Sequence, residues 1–267
     1  MSAPTTSPLL TIVSFWQGPV GWLERLCLAS VRAAGHRIEL YTTDVAALRG
    51  EGLAEDVFDV RDVMDVGSAE RLYLDGGHLP LFSDIVRLRL QKLGRGMWAD
   101  CDCLFLAPVA ISSPVILGWY PTGRAGNSVI YLERHSALLD DYYAGVTKVP
   151  LDVPWATRRV RLWRRLEAFF GHKLPSNPGR MAIGPRALTY FVEKHGLAAS
   201  LLPASVFYPV AQADCIELVN PDDRIVSNML RDDSLMVHAW HTNLKNAGAL
   251  RDLPPPTSYL GRAYKRF

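Results

Sequence analysis

Residues 9–44 constrain the fold more than any other part of the chain. The apolar run LLTIVSFW (9–16) is followed by the turn QGPVG and then by WLERLCLASVRAAG. In that segment Leu23, Leu26, Cys27, Val31 and Ala34 recur at three- and four-residue spacing, the period of a helix with one buried face. Gly35 stands where such a helix is expected to end. HRIELYTTD then reads as a second strand. A strand, a helix and a strand within about thirty residues make a βαβ unit, which places two parallel strands side by side and predicts an open α/β sheet. Ligands of such sheets bind beyond the carboxyl ends of the strands. Those ends are Phe15-Trp16-Gln17-Gly18 and Tyr41-Thr42-Thr43-Asp44, so Phe15, Trp16, Tyr41, Thr42 and Thr43 are candidate substrate-binding residues.

The rest of the pattern extends this sheet. Residues 45–80 are irregular, but FSDIVRLRLQKLGRG reads as a helix with Ser83 as N-cap. Ile85, Val86, Leu90 and Leu93 form its buried stripe, and Gly94 or Gly96 ends it. VILGWY and NSVIYL are further strand candidates, and from about residue 135 the pattern is mostly helical. Nothing demands two independent domains. The reading is a tail at 1–9, polar and proline-containing, and a single domain at 10–267. With 49% hydrophobic and 21% charged residues, the 267-residue chain has the composition of a core-forming protein. A net charge of +2 gives no general polyanion signal, so nucleic acid is not an expected partner. Four cysteines do not make a disulfide framework, and no secretory or membrane-spanning pattern is evident, so a soluble cytoplasmic protein is expected.

The stretch GMWADCDCLFLAP (96–108) reads as a buried strand, yet it carries Asp100 and Asp102. In an extended strand they would face the same way, roughly 6.6 Å apart, repelling each other and costly to desolvate. A divalent cation removes the repulsion, and hard oxygen ligands suit Mg²⁺ or Mn²⁺ shared with a substrate diphosphate. A zinc site on Cys101 and Cys103 lacks a second ligand pair, and both thiols read as small buried hydrophobes. In the preceding helix Asp84 and Arg87 share a face. They read either as an ordinary intrahelical ion pair or, with Asp84 in the first turn, as a clamp for sugar hydroxyls and phosphate oxygens.

Taken together, SDIVRLRLQKLGRGMWADCD resembles the DXD-containing sugar-transferase family. That family includes α-1,4-galactosyltransferases, yeast-type initiating mannosyltransferases, and bacterial capsule and lipopolysaccharide enzymes, and the clostridial glucosylating toxins share its core pattern. FWQGP, RLCLASVRAAGHRIELYTTD, Asn127 before VIYL, GPRAL and a late His-x-Trp look like the same family in the same order, over roughly residues 10 to 243. The resemblance implies a GT-A fold: a Rossmann-like open mixed sheet flanked by helices, with a more helical C-terminal part. It also implies metal-dependent, retaining transfer of a hexose from a nucleotide-diphosphate sugar to a glycan or lipid-linked acceptor in bacterial surface polysaccharide synthesis. By motif, Asp100, Asp102 and His238 would hold Mn²⁺ or Mg²⁺. Asp84 and Arg87 would grip the donor hexose and its phosphate, Asn127 would lie near the sugar, and Trp16 would stack on the base. Asp84, Arg87, Asp100 and Asp102 are the catalytic set, and Trp240 of His-x-Trp joins the substrate-binding residues. If HAW is strand-like, His238 and Trp240 share a face, and either His238 or His241 reaches the metal. One departure, Gly94-Arg95-Gly96 where the family often has two glycines, would bring Arg95 towards the site.

RRVRLWRRLEAFF (158–170) reads in two ways. Its arginines can form a solvated face over a core stripe of Val160, Trp163, Leu166 and Phe169. Alternatively, the helix meets anionic lipid or a diphosphate-linked acceptor, which would put the enzyme at the inner membrane face. The rival functions are a glycoside hydrolase, which needs carboxylates flanking the bond where two aspartates on one strand would project from one side of a substrate, and a non-catalytic nucleotide-sugar- or carbohydrate-binding protein. If Trp16 is a base platform, Trp16→Ala weakens nucleoside diphosphate binding by about 1–3 kcal/mol in calorimetry. Unchanged affinity returns Trp16 to the core.

Overall fold

The computed structural model describes residues 9–64, 79–172 and 183–267. Most of the expected N-terminal tail, residues 1–8, lies outside the described residues, as do parts of the irregular 45–80 region. In chain order the elements begin with β1 (Ile12–Phe15), α1 (Trp22–Ala33), β2 (Ile38–Thr42), α2 (Val45–Arg49) and β3 (Asp56–Asp59). Then come α3 (Leu79–Lys92), β4 (Met97–Ala99), β5 (Cys103–Phe105), β6 (Val115–Ile116) and β7 (Val129–Leu132). The remainder is α4 (Ala137–Thr147), α5 (Arg158–Phe169), α6 (Pro185–Lys194), α7 (Ala204–Phe207), α8 (Arg224–Ser227), β8 (Met236–His238), α9 (His241–Asn246) and α10 (Tyr259–Arg266), with short 3₁₀ turns between.

Six strands form one mixed sheet in the order β3-β2-β1-β4-β7-β6. β1, β2, β3 and β4 run parallel, β7 pairs antiparallel with β4, and β6 pairs antiparallel with β7. The sheet flanked by helices is the α/β class expected, and it is consistent with a GT-A arrangement. β5 and β8 make a separate antiparallel pair. Alternation along the central strands explains the layering. Val13, Phe15 and Trp98 join Phe82, Ile85 and Val86 of α3 on one face of the sheet. Ile12, Ile38, Leu40, Met97 and Ala99 join Leu28 and Val31 of α1 on the other. A central strand buried on both faces reads as a continuous apolar run, and all four residues of β1 are buried.

The chain leaves β1 towards β2 and β3 on one side and returns with β4 on the other. The crevice between the carboxyl ends of β1 and β4 is therefore the topological switch point, where open α/β sheets bind ligands. The helices leading into β2 and β4 both stop at a left-handed glycine. Gly35 (φ 84°) donates to Arg32 O and His36 to Val31 O, and Gly94 (φ 66°) donates to Gln91 O and Arg95 to Leu90 O. Each is a Schellman cap.

Three expectations need correction. Ser83 is no N-cap, because α3 already runs from Leu79, with Pro80 in the first turn where a missing N–H costs nothing. Asp84 consequently lies in the second turn rather than the first. Arg95 precedes β4, and its guanidinium sits over the Phe58 ring of β3, 5.7 Å away, so its contact there is with β3 and not with the Asp84–Asp102 groups. The supposed core stripe of α5 is exposed: Val160, Trp163, Leu166 and Phe169 all face solvent. Gly96 has φ 151°, and a Cβ there would stand 2.2 Å from the Thr11 carbonyl oxygen of the segment leading into β1. Gly96→Ala should therefore cost about 3 kcal/mol in urea unfolding. A loss below about 0.5 kcal/mol would show that β4 docks without this close approach.

Candidate functional site

Asp100 and Asp102 do not lie in a continuous strand. β4 ends at Ala99, and the Cys103 N–H donates to Asp100 O at 3.0 Å, closing a turn. Aspartate suits the first position of such a turn, and the chain then departs to pair with β8. The two carboxylates consequently face different partners. Asp100 Oδ1 accepts from Trp98 Nε1 at 2.7 Å and lies 3.5 Å from Arg87 Nη2. Asp102 Oδ1 lies 3.2 Å from His238 Nε2, and its Oδ2 accepts the His241 N–H at 2.7 Å.

Arg87 is buried and committed to the protein. It donates to the Asn127 carbonyl oxygen and to Ser83, lies 3.3 Å from Asp84 Oδ1, and stacks on Trp98 with its Cζ 4.9 Å from the ring centre. The Asp84–Arg87 pair is thus no surface ion pair, since both residues are only 5% exposed. The guanidinium is buried among these protein partners. Asn127 Nδ2 donates to Asp84 Oδ1 at 2.9 Å. Gly184, the first residue of GPRAL, closes over this pair: a Cβ there would stand 2.9 Å from Asp84 Oδ2 and 3.0 Å from Asn127 Nδ2.

Tyr120 and Ser128, which the sequence did not single out, join the clamp to the histidine. Tyr120 Oη is 3.1 Å from Asn127 Oδ1 and 3.0 Å from Ser128 Oγ, and Ser128 Oγ is 3.3 Å from His238 Nε2. A polar chain therefore runs Asp84, Asn127, Tyr120, Ser128, His238, Asp102. The register Cys103↔His238 of the β5–β8 pair supplies its far end.

The titrations follow from burial. Burial raises the Asp84 carboxyl to about 6 despite Arg87, with Asp100 adding to the shift and the Asn127 hydrogen bond opposing it. Desolvation also raises Asp100 against the pull of Arg87, helped by the neighbouring Asp102. Asp102 goes the other way, to about 2: burial opposes its charge, but His238 and the His241 N–H outweigh it. Burial likewise works against a charged His238, and Asp102 more than compensates, raising it. Burial pushes the Cys101 and Cys103 thiols up, so both stay protonated and apolar in character.

Trp240 adopts a left-handed backbone (φ 55°), alone among the described non-glycine residues. HAW is therefore a strand end followed by a turn, not three strand residues. The turn lays the Trp240 ring 4.1 Å from His238 and 5.3 Å from Tyr120. It also swings His241 away, so that its Nε2 lies 3.3 Å from Glu24 Oε1 and its ring meets Trp16 edge-on at 5.6 Å. Of the two imidazoles, that of His238 is the one that reaches Asp102. Glu24 is buried, and desolvation raises its carboxyl above the usual range against the pull of His241. The sequence signal for it was its place three residues after Gly21, whose N–H it caps at 2.9 Å.

Trp16, Glu24 and His241 line a cleft of about 600 Å³ with Gln17, Lys245 and Arg251. Of the other strand-end candidates, Thr43 lies at the rim, donating to Gln17 Oε1, while Thr42 is buried and caps the Asp44 N–H. Phe15 and Tyr41 face the core, packed on Phe82 and Phe58, because strand alternation turns them inward.

For a metal, Asp102, His238 and Cys103 offer ligand atoms within 4.8 Å of one another. A carboxylate and an imidazole fit Mn²⁺ better than Mg²⁺, which prefers oxygen alone. Asp100, held by Trp98 and near Arg87, is outside this group.

No family model and no curated protein matches the chain. Among solved structures it is similar to a chain named PaToxG Glycosyltransferase, at 12% identity and a TM-score of 0.48, covering 70% of this chain and 71% of that one. That partial likeness of backbone path carries no argument about chemistry.

The raised Asp84 pKa makes a signed prediction. The folded state holds this proton more tightly than the unfolded chain, whose carboxyl titrates near 3.9, so the contribution is full below about pH 4 and is lost as pH rises through about 6. Between pH 4 and pH 7.5 the wild type should lose about 3 kcal/mol relative to Asp84→Asn in urea unfolding. A pH-independent difference would show that Arg87 fully offsets the burial.

Proposed function

We propose that the protein is a metal-dependent glycosyltransferase that moves a hexose, with retention, from a nucleotide-diphosphate sugar to a glycan or lipid-linked acceptor. The observation carrying this reading is the single polar chain from Asp84 to Asp102 beside the switch-point cleft. It joins a neutral-to-anionic clamp suited to sugar hydroxyls with a carboxylate–imidazole pair suited to a divalent ion.

In this reading Trp16 presents its face to the base, and Asp84 with Asn127 holds the hexose hydroxyls. Arg87 acts as a positioning residue, fixing the Asn127 carbonyl and both neighbouring aspartates. Asp102 and His238 hold Mn²⁺, with Asp100 close enough to contribute its charge. When bound, the ion supplies Lewis-acid stabilisation of the leaving diphosphate. The buried carboxylates favour the positive charge that builds on the sugar in an oxocarbenium-like transition state. Bacterial surface glycan assembly is the biological setting we infer, and it rests on the sequence resemblance.

The decisive experiment measures nucleotide-sugar hydrolysis over a donor panel, with and without Mn²⁺. Activity should vanish on chelation and return with Mn²⁺, and Asp102→Asn should lower kcat by a hundredfold or more while circular dichroism stays native. Undiminished turnover of Asp102→Asn in chelator-treated buffer would eliminate the metal role. Nucleotide-sugar binding without turnover on any donor would leave a binding protein instead.

A further inference from the structure

Helix α5 (Arg158–Phe169) is built inside out. Its buried side chains are charged: Arg164 and Glu167 are 4% and 8% exposed and pair at 3.0 Å, and Arg164 also donates to the His172 carbonyl. Its apolar side chains face outward, with Leu162 62%, Trp163 63%, Phe169 83% and Phe170 75% exposed. These four and Leu166 fall at three- and four-residue spacing, so they form one continuous stripe. The helix is well defined at both ends: Thr157 caps its N-terminus, and Gly171 (φ 87°) closes its C-terminus, donating to Ala168 O. Burial of this stripe therefore has no part in holding the helix in this fold.

A stripe of this size facing water fits a surface that something else covers. The flanking charge selects the occupant. Arg158, Arg159 and Arg165 are exposed around the stripe, while the helix's single acid, Glu167, is turned inward and paired. Leucine, tryptophan and phenylalanine on one face with arginines along its border is the composition of a helix lying in a lipid interface. The arginine stems can reach headgroup phosphates while the aromatic rings enter the acyl boundary.

We propose that α5 docks the protein on an anionic bilayer, with Leu162, Trp163, Leu166, Phe169 and Phe170 in the interface and Arg158, Arg159 and Arg165 on the headgroups. This surface is independent of the sugar site, since none of its residues contributes to the cleft or to the polar chain from Asp84 to Asp102.

The test is co-sedimentation of the full chain with vesicles, without any nucleotide sugar. It should bind vesicles of equal parts phosphatidylglycerol and phosphatidylcholine, bind pure phosphatidylcholine vesicles at least tenfold more weakly, and release as salt is raised. Two variants separate the two contributions: Leu162→Ser/Phe169→Ser/Phe170→Ser, and Arg158→Glu/Arg159→Glu/Arg165→Glu. Each should keep the wild-type melting temperature within a few degrees, because the altered side chains are exposed. Partitioning should fall at least tenfold in the first variant, and by about fivefold per arginine in the second. No binding of the wild type to the anionic vesicles, or wild-type binding by both variants, overturns the proposal. So does a wild-type dimer in size-exclusion chromatography that the serine variant dissociates while vesicles stay unbound, which would assign the face to a second copy of the chain.

Discussion

The guanidinium of Arg87 is the interaction on which the site depends. It is a fixed positive charge in an almost dry interior, and it is tolerable there only because it meets Asp84, Asp100, the Asn127 carbonyl and the Trp98 ring together. These partners come from α3, the turn after β4, the segment before β7, and β4 itself. One cation therefore ties a helix to three neighbouring parts of the sheet at the switch point. The arrangement also explains why the two aspartates differ: Asp100 shares this cation, while Asp102, two residues on, answers to His238 instead.

Around that anchor the polar groups form a line rather than a cluster. Tyr120 and Ser128 carry hydrogen bonds from Asn127 to His238, so disturbance at either end is felt through defined partners. The left-handed backbone of Trp240 belongs to the same construction. Such a conformation costs of order 1–3 kcal/mol in a non-glycine residue and persists only when its surroundings over-determine it. Here the Asp102 carboxylate holds the following N–H, and the indole is wedged between His238 and Tyr120.

The βαβ start, the glycine stops of α1 and α3 and the neighbouring strands were legible in the sequence because periodicity and capping are local properties. The identities of Asp84, Arg87, Asn127, Asp102 and His238 as a related group were legible through resemblance. Their wiring was not. The alternation argument failed at Asp100 and Asp102 because the strand ended one residue earlier, at Ala99. The helix-stripe argument failed at α5 because periodicity reveals that a helix has an apolar face, without saying which face the rest of the chain covers.

The sequence by itself determined the α/β class, the order of its first elements and the residues able to carry chemistry, since these follow from side-chain type and spacing of two or 3.6 residues. Only the tertiary structure decided that Phe15 and Tyr41 face the core, that Arg87 points inward, that the imidazole of His238 but only the backbone N–H of His241 meets Asp102, and that Tyr120, Ser128 and Glu24 join the candidate site. Each of these depends on a contact between residues far apart in the chain: Cys103 with His238 across β5 and β8, or Glu24 with His241. Such pairings are fixed by the packing of whole elements against one another, and no local pattern encodes them.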